Sequence, residues 1–158
     1  MVKKAKSIGA QIHVMRLRWP GFEPQERTAD KVVWVGDLVG IERRYRVMVQ
    51  FGLPRNPPDD PMFRRFPLVT VVSPGLEPQW DALEEAPLPH VYFYRPCIAL
   101  SPLCLFDPEA GEWDHSNLIA LTTIPWTADW LACYEAWLAT GRWRAGGRHA
   151  INPREMIA

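Results

Sequence analysis

Residues 43–51, RRYRVMVQF, alternate without a break: Tyr45, Val47, Val49 and Phe51 fall on one side, and Arg44, Arg46, Met48 and Gln50 on the other. Side chains of a strand point to opposite faces in turn, so this period of two predicts a strand with one buried face. Such a strand needs an apolar cover on that face and pairing partners along its edges. The neighbouring segments supply the partners. KVVWVGDLVG (31–40) is β-rich and closes on Gly40, and LVTVVS (68–73) is stopped by Pro74 and Gly75. Three strands in sequence predict an antiparallel meander. The stretch LPRNPPDDPMFRRFP (53–67) has no periodicity and reads as a proline-rich connection.

Helical spacing supplies the cover. Ile8, Ile12 and Met15 fall at i, i+4 and i+7, joined by Ala5, and predict a short helix ended by Pro20 and Gly21. From Glu77 to Pro102 the pattern is irregular and predicts ordered loop, with short strands at VYFY and LCLF. HSNLIALTTI (115–124) and TADWLACYEAWLAT (127–140) read as helices. In the second, Trp130, Leu131, Tyr134, Trp137 and Leu138 share one face, with Thr127 as N-cap and Gly141 just past the end. The order predicts one α+β domain over 1–158, with its core over about 8–143 and a flexible tail over 144–158.

Eighteen basic and eighteen acidic side chains cancel. A chain without basic excess is not expected to bind nucleic acid generally, because phosphate neutralisation needs one. No apolar run approaches the roughly 20 residues that span a bilayer, so no membrane partner is expected. The start, MVKKAKSIGAQIHV, lacks the apolar core of a secretory signal. Three cysteines without framework spacing suggest free thiols in a reducing cytoplasm.

Chemistry concentrates around PLCLFDPEAGEWDH (102–115). Cys97 and Cys104, with His90 and His115 on either side, lack the tight cysteine pair of a structural zinc site, so neither metal nor cofactor is expected. Cys104, His90, His115, Asp107, Asp114 and Asn117 supply the residue types of a cysteine hydrolase. Yet a cysteine in a strand-like apolar run is not strongly ionised, as such a nucleophile is at a helix N-terminus. Free cysteine is also a common core filler, a role that Cys133 suits well. His90, in LPHVY, can hold a loop by hydrogen bonds, and His115 can cap a helix beginning near Ser116. His13 and His149 join no constellation. Gly146-Gly147 is followed by eleven residues, so no terminal Gly-Gly is presented.

In order, VVWVG, YRVMVQF, PLVTVVSP, LPHVY, LCLFDPEAGEW and the segment after DHSN resemble the ubiquitin-conjugating (E2) family over roughly residues 30–140. The most specific piece is Cys-Leu, a turn, then Trp113 nine residues beyond Cys104. SPGL, LPHVY, LCLF and WLACYEAWLATGRW look like the prokaryotic E2-like proteins of the antiphage operons called CBASS, in the stand-alone form without an adenylation domain. The resemblance implies the UBC fold, a β-meander with an N-terminal helix and C-terminal helices. It implies that Cys104 forms a thioester with a partner's C-terminus and that His90 matches the histidine of the family's His-Pro-Asn loop. The partner so implied is the C-terminal tail of a CD-NTase-type nucleotidyltransferase, with a separate activating enzyme as a further candidate.

The chain departs from the family where Val91 and Tyr92 follow His90 in place of Pro-Asn. Tyr92, His90 or backbone N–H groups then have to support the oxyanion. A weakly activated thiol suits transthiolation, because attack and departure both matter and a low pKa costs nucleophilicity. Asp107, Glu109 and Asp114 could orient an incoming lysine in a shallow groove. A catalytically silent UBC-fold scaffold binding the same partner is the alternative.

Overall fold

A computed structural model describes residues 2–145. The flexible tail expected over 144–158 therefore lies almost wholly outside the described residues, as do Gly146, Gly147 and His149. The elements are α1 (Ile8–Arg18), β1 (Glu23–Arg27), β2 (Lys31–Val39), β3 (Arg44–Gly52), α2 (Met62–Arg65), β4 (Leu68–Ser73) and α3 (Thr123–Thr140). The strands form an antiparallel sheet in the order β1-β2-β3-β4. The fold is thus α+β, with helices at both ends of the chain around a four-stranded meander.

The alternation in β3 is what builds the core. Tyr45, Val47, Val49 and Phe51 are each at most 1% exposed, while Arg44 and Arg46 face solvent. On the buried side Tyr45 meets Tyr134 of α3 edge-on at 6.3 Å, and Phe51 meets Trp113 at 5.8 Å. Ile8, Ile12 and Met15 of α1 close the same core. Ala5 lies outside the helix and is exposed, and Ser7 is the N-cap, accepting from Ala10 N at 3.1 Å. Gln11 is buried on α1 because it is fully used: Nε2 donates to Asn117 O at 2.8 Å and Oε1 accepts from Ile119 N at 3.0 Å. It stitches the N-terminal helix to the segment that leads into α3.

Several expectations need correction. The meander has a fourth strand, β1, whose EPQER sequence shows no alternation because almost nothing on it is buried. The connection 53–67 contains α2, and Arg64 on it is buried by donating to Leu53 O at 2.9 Å and pairing with Asp30. HSNLIALTTI is not a helix of its own, and only its last two residues enter α3. It is a turn followed by a 3-10 turn at Ile119–Leu121. The last helix begins at Thr123, and Pro125 fits in its first turn, where a missing N–H costs nothing. Thr127 is therefore not an N-cap. It is buried inside α3 and donates to Thr123 O at 2.7 Å. Gly141, left-handed at φ 71°, does end the helix. The strands expected at VYFY and LCLF shrink to one antiparallel bridge, Val91 opposite Leu103.

The β2–β3 turn is tied to α3 by one carboxylate. Glu135 accepts from Ile41 N (2.7 Å), Glu42 N (2.9 Å), Arg43 N (2.9 Å) and the Tyr45 hydroxyl (3.0 Å). Gly40 permits this approach, since a Cβ there would come within 2.7 Å of Glu135 Oε1. Burial opposes ionisation of Glu135, but the bonds from Glu42, Arg43, Ile41 and Tyr45 outweigh it and hold the carboxyl below its ordinary range. Glu135→Ala is expected to cost about 2 kcal/mol, because four donors lose a charged partner. Urea denaturation across pH checks this. A depressed folded-state pKa stabilises above the ordinary value of 4.5. The gap between wild type and variant should therefore be full above that pH and close as the pH falls through the folded-state value.

Candidate active site

The bridge between residues 90–92 and 102–104 places the candidate nucleophile. Tyr92 N donates to Pro102 O at 2.8 Å, and Cys104 N donates to His90 O at 2.9 Å. With Val91 opposite Leu103, His90 and Cys104 fall opposite one another on the two segments. The pair is anchored to the sheet where Leu103 N donates to Val69 O of β4 at 2.9 Å. It is anchored to α3 where Trp130 Nε1 donates to His90 O at 3.2 Å. Cys104 follows the bridge and does not lie in a strand.

Cys104 is 7% exposed, and its Sγ lies 3.6 Å from Phe106 O. The thiol can donate there. Tyr92 is buried, its ring 5.8 Å from that of Phe66. Burial first, then the charge of Cys104, a hydrogen bond with Cys104 and the charge of Asp107 push the Tyr92 hydroxyl far above its usual range. Tyr92 therefore stays protonated and can donate to sulfur when the thiol ionises. His90 sits in the left-handed region at φ 43°. Its ring stacks on Trp143 with centroids 5.1 Å apart, and Nε2 lies 3.9 Å from Glu85 Oε1.

Both residues open into a groove with a volume of about 810 Å³. His90, Cys104, Phe106 and Asp107 form one wall, and Trp126, Asp129, Trp130 and Cys133 of α3 form the other. Trp143 and Ala145 border it where the described chain ends. Glu112 also lines the groove, and its Oε2 accepts from Asp107 N at 2.9 Å. Asp107 in turn accepts from Glu109 N at 2.9 Å, which shapes the turn after the cysteine. Three carboxylates thus face the groove, and no lysine or arginine does among the described residues. Cys133 is a second thiol on this surface, but burial and the charge of Asp129 push its pKa up. A raised pKa leaves less of it as thiolate at neutral pH.

Asp114 and His115 do not line this groove. Asp114 accepts from the Ser116 N–H and hydroxyl, which hold its carboxyl below the usual range, and its own N–H donates to Asn117 Oδ1 at 2.8 Å. His115 Nε2 lies 2.9 Å from Arg64 O, and its ring packs against Phe51 and Trp113. Asp114 shapes the turn after Trp113, and His115 fixes that turn to α2 and the core. His115 caps no helix at Ser116, because none begins there. Asp129, Trp126 and Glu112 were not singled out by sequence reasoning, and Cys133, expected as a core filler, is only partly buried and lines the groove. Only the one-sided pattern of α3 hinted that some of its polar positions would face a site. Among the described residues no group of three or more His, Cys, Asp and Glu is placed to hold a metal ion, and no helix is long and apolar enough to cross a membrane.

A family model described as E2-CBASS, Type II CBASS E2 protein, matches residues 11–150. No curated protein matches the chain. Tyr92→Phe removes one hydroxyl from the sulfur and keeps the ring. It is expected to slow iodoacetamide alkylation of Cys104 about three- to tenfold near neutral pH, since a donor to the thiolate is lost. Peptide-resolved mass spectrometry separates Cys104 from Cys97 and Cys133.

Proposed function

Because the chain belongs to the Type II CBASS E2 protein family, we propose that it is a cysteine acyltransferase of antiphage defence with a ubiquitin-conjugating fold. Cys104 carries the C-terminus of a partner protein as a thioester. The donor is the C-terminal tail of the CBASS nucleotidyltransferase, activated by a separate enzyme, and the reaction runs in the reducing cytoplasm, where all three cysteines stay free. The observation that carries this reading is the pairing of Cys104 with His90 across one backbone bridge, with a protonated Tyr92 hydroxyl on the sulfur, at the wall of an open groove.

The chemistry then follows in two steps. The Cys104 thiolate attacks the activated carbonyl carbon of the tail, the S–C bond forms and the activating group leaves. An amine next attacks the same carbon, the C–N bond forms, the C–S bond breaks and the amine gives up a proton. Thiolate is released in the second step, and the Tyr92 hydroxyl stabilises it as it departs. Negative charge on the carbonyl oxygen falls to His90 or to backbone N–H groups, because no asparagine follows His90. Asp107, Glu112 and Asp129 give the groove a charge that favours a cationic amine.

Co-expression with the partner and the separate activating enzyme, followed by intact-mass analysis with and without reductant, tests the reading. Wild type is expected to carry an adduct of chain plus partner minus one water, cleaved by thiol. Cys104→Ala should carry none, and Cys104→Ser should carry a thiol-resistant ester. A tight complex with no adduct in any variant would show a silent scaffold instead.

A further inference from the structure

Two non-glycine residues among those described have a left-handed backbone, Glu85 at φ 60° and His90 at φ 43°. Contact between Cβ and backbone disfavours that region for any L-residue with a side chain, and such outliers gather at functional sites. Here the two outliers are the two partners of one ion pair. Glu85 Oε1 lies 3.9 Å from His90 Nε2, with side chains 21% and 8% exposed. Glu85 does not line the groove, whereas His90 does.

We infer that Glu85 is a positioning residue for acyl transfer, acting on Cys104 through His90. The inference rests on the reading of Cys104 as the thioester carrier. His90 is held at several points. Its carbonyl accepts from Cys104 N and Trp130 Nε1, and one face of its ring lies on Trp143. Glu85 faces its Nε2 edge. A carboxylate at this distance also favours the imidazolium over the neutral ring. An imidazolium on the same groove wall as the cysteine is suited to the negative charge that gathers on the carbonyl oxygen when an amine attacks.

The test uses the full chain with Glu85→Gln, Glu85→Asp and His90→Gln. Isotope-labelled histidine, followed by NMR from pH 5 to 9, reads His90 without any reaction, and His90→Gln assigns its signal. The other titratable groups facing the groove, Asp107, Glu112, Asp129, Cys104 and Cys133, are unchanged in the Glu85 variants. Glu85→Gln should titrate His90 about one pH unit lower. Loss of the preformed thioester to added lysine should slow about tenfold in Glu85→Gln and recover in part in Glu85→Asp. In a His90→Gln background, Glu85→Gln should have no further effect. A His90 titration identical to wild type would overturn the inference, as would an equal slowing with and without His90. Absence of any thioester on the wild-type chain would overturn the transfer reading instead, and the His90 titration would still decide whether Glu85 sets the state of the ring.

Discussion

Two N–H···O bonds between residues 90–92 and 102–104 support the candidate site. They join two loops that share no regular secondary structure, and they set His90, Tyr92 and Cys104 side by side. The pair would drift if nothing held it. Leu103 docks on Val69 of β4, β4 pairs with β3, and β3 is fixed by the buried alternation that defines the sheet. The position of one sulfur therefore descends, bond by bond, from the most regular strand in the chain. Trp130 closes the arrangement from the other side by donating to the same carbonyl that receives Cys104 N.

What the sequence made legible follows from what each segment buries. β2, β3 and β4 could be read because each presents apolar residues to a core. β1 could not, because EPQER at the sheet edge buries almost nothing, and its charges and proline keep that edge from pairing further. The start of α3 was hidden by Pro125, which reads as a boundary yet sits comfortably in a first turn. Cys104, His90, Tyr92 and Asp107 came from local sequence and a family resemblance. Asp129, Cys133 and Trp126 reach the groove from a helix more than twenty residues away, and only tertiary packing puts them there. Asp114 and His115 carried the right residue types, but a turn and a carbonyl on α2 use them.

The zero net charge also conceals a local imbalance. Basic side chains on the outer face of β3, Arg44 and Arg46, pair with Asp37, while Arg43 pairs with Glu77. Among the described residues, the carboxylates of the groove have no lysine or arginine beside them along its lining. Composition averages over the whole surface, so it could argue against a general polyanion binder but could not reveal an acidic site. Surface pairs of this kind contribute little to stability. The distribution matters more for what approaches Cys104 than for how firmly the chain folds.

Three indole rings, Trp126, Trp130 and Trp143, wall the groove, and Trp80, 72% exposed, is in open solvent elsewhere. Indole emission follows the polarity and hydration around the ring. A peptide that enters the groove and displaces its water changes the surroundings of those three rings together. The protein thus carries its own optical probe of occupancy, and replacing Trp80 by phenylalanine would remove a solvent-exposed indole that does not line the groove. Partner arrival and covalent capture could then be timed separately on one unlabelled sample, the first by light and the second by mass.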